Sequence, residues 1–305
     1  MARIVKCGLI QATHAGPTDA PIEDIKRANI DKHLGFIEQA AQQGVQILCM
    51  QEVFTTPYFC AEQNPHWYGL VERIPDGPTT KLMQEIAKQH QMVIVAPIYE
   101  EEMAGVYYNT AAVIDADGTY LGKYRKTHIP CGQNDRGSFH ETFYYGSSDG
   151  NLGVHRANIA RNPFFPVFQT SIGNVGVAIC YDRHFEGVVH SLKEGGAELV
   201  FCPAITFGKK SQKVWHQEFL VDAVRHGVFI GGSNRLGSEP PWTIEYFGES
   251  YFCGPQGLCP VIASPTGLVM SDLDLTELTE PDPSGWNLPR DIRYDIYSPR
   301  ITRTP

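Results

Sequence analysis

A cysteine ends an apolar segment in GNVGVAICYDRHF, in a setting that could present a nucleophile. Cys180 follows a predicted buried strand and precedes polar residues that open a helix, a position where α/β folds place reactive side chains. Backbone N–H groups at a helix start lower a thiol pKa and can bind an oxyanion. A buried core cysteine would give the same local pattern. Cys180 is therefore a candidate nucleophile whose partners must come from elsewhere in the chain.

Two other segments place charged residues directly after predicted strands. Glu52 ends the apolar run in QILCMQEVF, where a carboxylate needs either a partner or a task such as general base catalysis. In GKYRKTHIP the cations Lys123, Arg125 and Lys126 alternate sides of an extended segment, so that one can point inward. The alternatives are a solvated carboxylate and a charged sheet edge. A thiol, a base and a cation together could attack an amide carbonyl and hold its oxyanion.

The elements that must position these side chains alternate between strands and helices. Short runs rich in Val, Ile and Ala predict strands over residues 4–12, 45–53, 92–98, 175–180, 199–204 and 228–233. Helical spacing of apolar residues predicts helices over 23–43, 79–91, 184–194 and 212–225. Turn residues predict hairpins around 115–118 and through 262–273. This order indicates an α/β fold with mixed sheets, each covered by helices on one face.

Composition and charge restrict the classes of function. The 305 residues are 42% hydrophobic and 19% charged, and no linker divides them, so we predict a single domain over 1–305. A net charge of -9 without a basic stretch disfavours a nucleic acid partner. The apolar runs are too short for a membrane span or a signal peptide, which predicts a cytoplasmic protein without a membrane partner. The Pro-, Asp- and Arg-rich residues 279–305 are expected to lie on the surface or to dock on a partner subunit.

The cysteines and histidines do not form a recognisable metal motif. Eight cysteines include no CxxC pair and none of the usual zinc spacings, so no metal or cofactor is predicted. A zinc hydrolase built on His184 and His190 is an alternative, but the sequence has no HExxH helix and no third clear ligand. Cys253 and Cys259, which flank GPQGL, are predicted to be loop residues and not a disulfide or metal pair.

Taken together, the three segments resemble the signature of the nitrilase superfamily of carbon-nitrogen hydrolases, over nearly the whole chain. The resemblance implies a four-layer α-β-β-α sandwich with mixed sheets and a catalytic triad. The strand-end glutamate, the lysine of RKxH and the cysteine of CxD match Glu52, Lys126 and Cys180. Glu52 would deprotonate the thiol, while Lys126 and the backbone N–H of Tyr181 would hold the oxyanion. A second glutamate often follows the lysine in the family, and HETFYY places Glu141 there to orient the lysine and the substrate nitrogen.

Within the superfamily the chain is most similar to β-ureidopropionases, and more loosely to N-carbamoyl-D-amino acid and N-carbamoylputrescine amidohydrolases. The shared segments are DGPTT, GKYRKTHIP, HETFYY, GNLG, VFQT, ICYDRH and NRLG. The resemblance implies that N-carbamoyl-β-alanine is hydrolysed to an amine, CO2 and ammonia. An aliphatic amidase or nitrilase with the same triad is an alternative, as is an inactive scaffold of the same fold. The family also implies a homodimer or larger assembly.

Residues close behind the nucleophile are candidates for binding substrate. Arg183 could receive a substrate carboxylate through its bidentate fork, with an internal salt bridge as the alternative. His184 and Tyr181 are the other substrate-binding candidates, although a partly exposed histidine at a helix start explains His184 equally well. Asp182 stands where β-ureidopropionases are expected to have glycine, and it could pair with Arg183 or attract a cationic amine. Residues 154–165 look like an insertion that could also reshape the pocket.

Asn234 and Arg235 follow the predicted strand over 228–233, in the segment NRLG. A polar pair at a strand end can serve packing and hydrogen bonding or can contact substrate. We predict the former role for both residues.

Overall fold

The computed structural model describes residues 2–297 and contains two large β-sheets with helices outside them. Its strands are β1 (Ile4–Ile10), β2 (Ile47–Cys49), β3 (Val93–Met103), β4 (Val106–Ile114), β5 (Tyr120–Arg125), β6 (Cys131–Gln133), β7 (Ser138–His140), β8 (Val167–Gln169), β9 (Asn174–Val177), β10 (Leu199–Ala204), β11 (Phe229–Asn234), β12 (Leu236–Ser238), β13 (Glu245–Phe247), β14 (Tyr251–Gly254), β15 (Gly257–Leu258), β16 (Ile262–Ala263) and β17 (Leu268–Asp274). The α-helices are α1 (Ile22–Gln42), α2 (Pro78–His90), α3 (Glu141–Tyr144), α4 (Gly187–Glu194), α5 (Lys209–His226) and α6 (Leu288–Asp291).

The two sheets are mixed, as the alternation of strands and helices predicts. One sheet has the strand order β16-β17-β1-β2-β3-β4-β5, and the other has the order β15-β14-β11-β10-β9-β8. In the first sheet β1, β2 and β3 are parallel, and in the second β9, β10 and β11 are parallel. Antiparallel strands complete both sheets on either side.

Burial of apolar side chains explains the four layers. The inner faces of both sheets share one hydrophobic core, in which Leu9 and Val95 of one sheet lie in the same cluster as Val177 and Phe201 of the other. Helices α1 and α2 cover the outer face of the first sheet, and α4 and α5 cover that of the second. The predicted α-β-β-α sandwich is therefore confirmed.

Parallel strands bring the candidate residues to one edge of the sandwich. The chain reaches Glu52 just after β2, Lys126 just after β5 and Cys180 just after β9. Carboxyl ends of parallel strands meet at the same edge of a sheet, which is where such folds bind ligands. The face-to-face packing of the sheets then brings the residues of both edges together.

Several predicted boundaries change at this edge. The strand predicted over 45–53 is only β2, which ends at Cys49, and the turn that follows it contains Val53 with a φ of 36°. The strand predicted over 175–180 ends at Val177, and Cys180–His184 forms a 3-10 turn before α4. By contrast, the strand predicted over 199–204 is confirmed as β10, and the helix over 23–43 as α1. Local propensity therefore failed where the chain turns to present functional groups.

The apparent insertion over 154–165 closes an open side of the sandwich. It lies between α3 and β8, and Ala157, Ala160 and Phe165 pack on the core between the sheets. The ring of His155 contacts Tyr120 of β5 at a centroid distance of 5.3 Å. The segment therefore covers the side where β5 and β8, the edge strands of the two sheets, face each other.

Beyond Leu278 the chain runs over the surface as far as it is described. Trp286, Leu288 and Ile296 expose apolar side chains there, and residues 298–305 of the predicted tail lie outside the described residues. Among the residues described, no helix has both the length and the apolar character needed to cross a bilayer.

Candidate active site

The nucleophile candidate lies on a sharp, strained turn. Cys180 begins the 3-10 turn after β9 and has a φ of 46°, a conformation that non-glycine residues rarely adopt. Such strain persists only where the surrounding structure imposes it, and it is common at functional sites. The residue is 7% exposed, and its Sγ lies 3.8 Å from the carbonyl oxygen of Ile205. The turn thus holds one thiol at the edge where the candidate residues meet.

Glu52 is buried and fixed from both sheets. Its Oε2 accepts a hydrogen bond of 2.8 Å from the backbone N–H of Ile205, and its Oε1 accepts one of 2.7 Å from Asn109. The guanidinium of Arg235 donates to the backbone carbonyls of Glu52 and Val53 at 3.2 and 3.4 Å. These contacts rule out the solvated carboxylate that local sequence favours, and they confirm the predicted packing role of Arg235.

Lys126 lies between two carboxylates. Its Nζ donates to Oε1 of Glu52 at 2.8 Å and to Oε2 of Glu141 at 2.5 Å, and all three side chains are buried. Glu141 also accepts a hydrogen bond of 3.0 Å from the hydroxyl of Tyr58. An ammonium has three N–H donors, and these two carboxylates take two of them. One donor is therefore left for another oxygen.

Burial and neighbouring charge set the protonation of the site. Burial, reinforced by the charge of Glu52, raises the pKa of Cys180 to about 12. The expectation that a helix start lowers this pKa is therefore wrong, because desolvation outweighs the nearby cations Lys126 and Arg183. Burial alone would lower the pKa of Lys126, but the charges of Glu141 and Glu52 hold it well above its usual value. At neutral pH the resting site thus contains a thiol beside an ammonium.

Glu141 differs from an exposed carboxylate in its proton affinity. Burial raises its pKa above the usual value, although the ammonium of Lys126 acts in the opposite direction. A carboxyl with a raised pKa can hold a proton more readily as charges shift during a reaction.

Arg183 makes its contacts with the protein interior. Its Nε lies 3.2 Å from the carboxylate of Glu218, its Nη1 donates to the carbonyl of Cys180 at 2.8 Å, and its Nη2 donates to Thr206 at 3.0 Å. The side chain is buried, with its guanidinium over the ring of Trp215. These are the contacts of the internal salt bridge, and they leave no free bidentate fork for a substrate carboxylate.

The other two substrate-binding candidates keep some accessible surface. His184 pairs with Glu218 through Nδ1 at 2.6 Å, and its side chain remains 28% exposed. The half-buried Tyr181 packs its ring against His184 and Phe185. Asp182 is fully buried, and its carboxylate accepts hydrogen bonds from Tyr124 and Thr127. It therefore neither pairs with Arg183 nor faces the solvent where it could attract a cationic amine.

Sequence reasoning missed the residues that hold the triad. Asn109 donates to Glu52 and to the hydroxyl of Tyr145, and Glu239 accepts hydrogen bonds from Arg235 and from the backbone N–H of Tyr58. A polar residue in the middle of the apolar strand β4 was a possible signal for Asn109. The long-range partners of Arg235 left no such signal.

The cysteines and histidines are dispersed in the described structure. All eight cysteines are free thiols, and Cys253 lies in β14 and not in a loop as predicted. In the described residues, no group of three or more His, Cys, Asp or Glu side chains is arranged to hold a metal ion.

The two-sheet fold and the buried cluster of Glu52, Lys126 and Cys180 are features of a class of hydrolases. A carbon-nitrogen hydrolase from Helicobacter pylori G27 has the same fold, with a TM-score of 0.82, 24% identity and coverage of 98% of this chain and 99% of that one. The Carbon-nitrogen hydrolase family model matches residues 9–280. The chain therefore belongs to the carbon-nitrogen hydrolase family, the nitrilase superfamily, and is an enzyme that hydrolyses carbon–nitrogen bonds.

Two relatives cover most of the chain. A β-ureidopropionase from Arabidopsis thaliana is 35% identical and matches 99% of this chain and 74% of its own length. An N-carbamoylputrescine amidase from Oryza sativa subsp. japonica is 30% identical, over 92% of this chain and 91% of its own.

Proposed function

We propose that this enzyme hydrolyses an N-carbamoyl compound, with N-carbamoyl-β-alanine as the substrate, and releases an amine, CO2 and ammonia. One observation carries the reaction type: the ammonium of Lys126 lies between Glu52 and Glu141, and Glu52 and the strained Cys180 both contact the backbone of Ile205. A ureido carbonyl is a poor electrophile, so its attack needs a nucleophile, a base and a fixed positive charge. This arrangement supplies all three in a buried site.

In the first step, Sγ of Cys180 attacks the carbamoyl carbon while Glu52 takes the thiol proton. The oxyanion is held by the remaining N–H of Lys126 and by the backbone N–H of Tyr181, which lies in the first turn after the nucleophile. Glu52 then returns the proton to the terminal nitrogen. Ammonia leaves, and a thiocarbamate remains on the cysteine.

In the second step, water attacks this intermediate while Glu52 takes a proton from it. Glu52 passes this proton to Sγ as the C–S bond breaks, which restores the thiol of Cys180, and the released carbamic acid loses CO2 to give the amine. Glu141 touches Lys126 and supports its orientation through both steps. A thiol with a pKa near 12 is deprotonated during attack and not beforehand, which explains why a base has to lie in the site.

Sequence similarity supports an acidic substrate, because the β-ureidopropionase is the more identical of the two relatives described above. We expect kcat/KM for N-carbamoyl-β-alanine to exceed that for N-carbamoylputrescine and for neutral propylurea by at least about 10-fold, a difference of ~1.4 kcal/mol. Ammonia release from all three compounds measures this. Faster hydrolysis of the cationic compound would instead indicate an N-carbamoylputrescine amidase. A preference for simple amides or nitriles would indicate an amidase or a nitrilase.

The role of Arg183 can be separated in the same assay. Since its guanidinium bonds the carbonyl of Cys180, Arg183→Ala should lower kcat/KM for the acid and for propylurea by similar factors, about 10-fold to 100-fold. A loss confined to the acid would show that Arg183 binds the substrate carboxylate after all.

We also propose that the chain acts as a single catalytic domain in a homodimer or larger assembly, in the cytoplasm. Eight free thiols suit a reducing compartment. The exposed Trp286, Leu288 and Ile296 suit a segment that is covered by a partner subunit. Light scattering should give at least twice the mass of one chain, and removal of residues 279–305 should reduce it. A monomeric full-length protein would contradict the assembly.

A further inference from the structure

A single buried carboxylate connects the segment that carries the lysine with the turn that carries the cysteine. Asp182 is 0% exposed and lies two residues after Cys180. Its Oδ1 accepts hydrogen bonds from the hydroxyl of Thr127 at 2.8 Å and the backbone N–H of His128 at 3.0 Å, and lies 2.7 Å from Nδ1 of the His128 ring. Its Oδ2 accepts from the hydroxyl of Tyr124 at 2.6 Å and the backbone N–H of Ile179 at 2.9 Å. Both oxygens are therefore saturated with donors.

The donors to Asp182 come from two segments of the chain, one beside Lys126 and one beside Cys180. Tyr124 lies in β5, and Thr127 and His128 directly follow Lys126. Ile179 directly precedes Cys180. These two groups lie at the ends of β5 and β9, which are in different sheets, so no strand ladder joins them to each other. The carboxylate of Asp182 makes that connection in place of the backbone.

The neighbouring rings make the connection rigid. The imidazole of His128 stacks on Phe185 with centroids 3.7 Å apart and planes 10° from parallel. The backbone N–H of Phe185 in turn donates to the carbonyl of Asp182 at 3.1 Å. The segment that follows Lys126 is thus packed, through His128, against the turn that contains Cys180 and Asp182.

A carboxylate fits this set of partners and an amide does not. An ionised Asp accepts at both oxygens, whereas an amide of the same shape presents an NH2 group on one side. That NH2 would face either the backbone N–H of Ile179 or that of His128, and a backbone N–H cannot become an acceptor. Asp182→Asn therefore disrupts the connection with almost no change in volume.

We infer that Asp182 is a positioning residue that sets the distance between the ammonium of Lys126 and the thiol of Cys180. It does not touch substrate and does not select substrate charge. The inference rests on the proposed roles of Lys126 and Cys180 in the reaction. A displacement of about 1 Å between reacting groups can cost about 100-fold in rate, which sets the scale of the expected effect.

The test compares wild type with Asp182→Asn, Tyr124→Phe and Thr127→Val. In Asp182→Asn we expect kcat to fall by about 100-fold while KM changes by less than about 3-fold, for acidic and neutral substrates alike. Tyr124→Phe and Thr127→Val each remove one donor and keep the carboxylate, so their losses of kcat should be smaller. All rates are divided by the folded fraction from thermal unfolding.

Alkylation of Cys180 by iodoacetamide gives a readout that needs no substrate. Peptide mass spectrometry follows this one thiol from pH 7 to 10, where the rate should rise with pH because burial keeps the thiol protonated. If Asp182→Asn moves Lys126 away, the thiolate loses a stabilising charge, and alkylation should be slower at each pH. Glu72→Gln is the matched control, since Glu72 is a buried carboxylate that accepts from Thr79 and pairs with Lys26 away from the site.

Glu72→Gln should lower stability and leave kcat and alkylation per folded molecule unchanged. The inference is overturned if Asp182→Asn behaves in the same way. If Asp182→Asn does not fold, Tyr124→Phe and Thr127→Val decide: wild-type kcat and wild-type alkylation in both would overturn it. A failure of the proposed function is a separate result, because it would appear as no release of ammonia from N-carbamoyl compounds by wild type, whereas alkylation of Cys180 needs no substrate.

Discussion

The Cys180→Ala variant is expected to lose at least about 1,000-fold in kcat, because the substitution removes the thiol that forms the covalent intermediate. The substitution removes one sulfur atom from a residue whose strained backbone is held by its surroundings, so the fold should persist. Ammonia release under saturating substrate measures the loss, and circular dichroism checks the fold.

Cys253→Ala is the matched control for this substitution. Cys253 is a fully buried thiol in strand β14 whose Sγ contacts the carbonyl of Ile230, and it lies outside the proposed machinery. Its replacement should leave kcat within about 2-fold of wild type, as expected for a buried cysteine that acts as a small hydrophobe. Retention of more than about one thousandth of activity in Cys180→Ala would remove Cys180 as the nucleophile.

The Lys126→Met variant is expected to lose about 100-fold to 1,000-fold in kcat with little change in KM. The ammonium acts on negative charge that develops in the transition state, and removal of one such group typically costs this much. The variant should also unfold more easily, by about 3 to 5 kcal/mol, because Glu52 and Glu141 would remain buried without their cation. Steady-state kinetics and urea unfolding measure the two effects.

Lys26→Met is the control that separates the loss of stability in Lys126→Met from its loss of kcat. Lys26 is also buried and pairs with Glu72 at 2.7 Å, but on α1 and away from the site. It should lose stability and keep its kcat. If Lys126→Met raises KM and spares kcat, the lysine binds substrate uniformly and does not stabilise the oxyanion.

The sequence predicted the layers of the fold and the three candidate residues of the site because both signals are local. Apolar periodicity marked β10 and α1 closely, and short motifs marked Glu52, Lys126 and Cys180. The predicted strands ran too far, because β2 and β9 end at Cys49 and Val177, and the turns that follow contain positive φ angles at Val53 and Cys180. Those conformations are imposed by contacts between the sheets, which no local window contains.

The roles of Arg183 and Asp182 depended on partners that are distant in sequence. Glu218, which pairs with Arg183, lies on α5, and the donors to Asp182 come largely from the segment around Lys126. The sequence shows that an arginine and an aspartate follow the nucleophile. It does not show whether they face the substrate or the interior, because that depends on how two sheets and a helix pack.

The most direct test of the account is the mass of the enzyme during turnover. Wild-type protein mixed with N-carbamoyl-β-alanine and quenched within the first turnover should carry an adduct equal to the substrate less one ammonia. Peptide mapping should place this adduct on Cys180, and the Cys180→Ala protein should carry none. Turnover by wild-type enzyme with the adduct on another residue, or an equal adduct on the Cys180→Ala protein, would contradict covalent catalysis by Cys180.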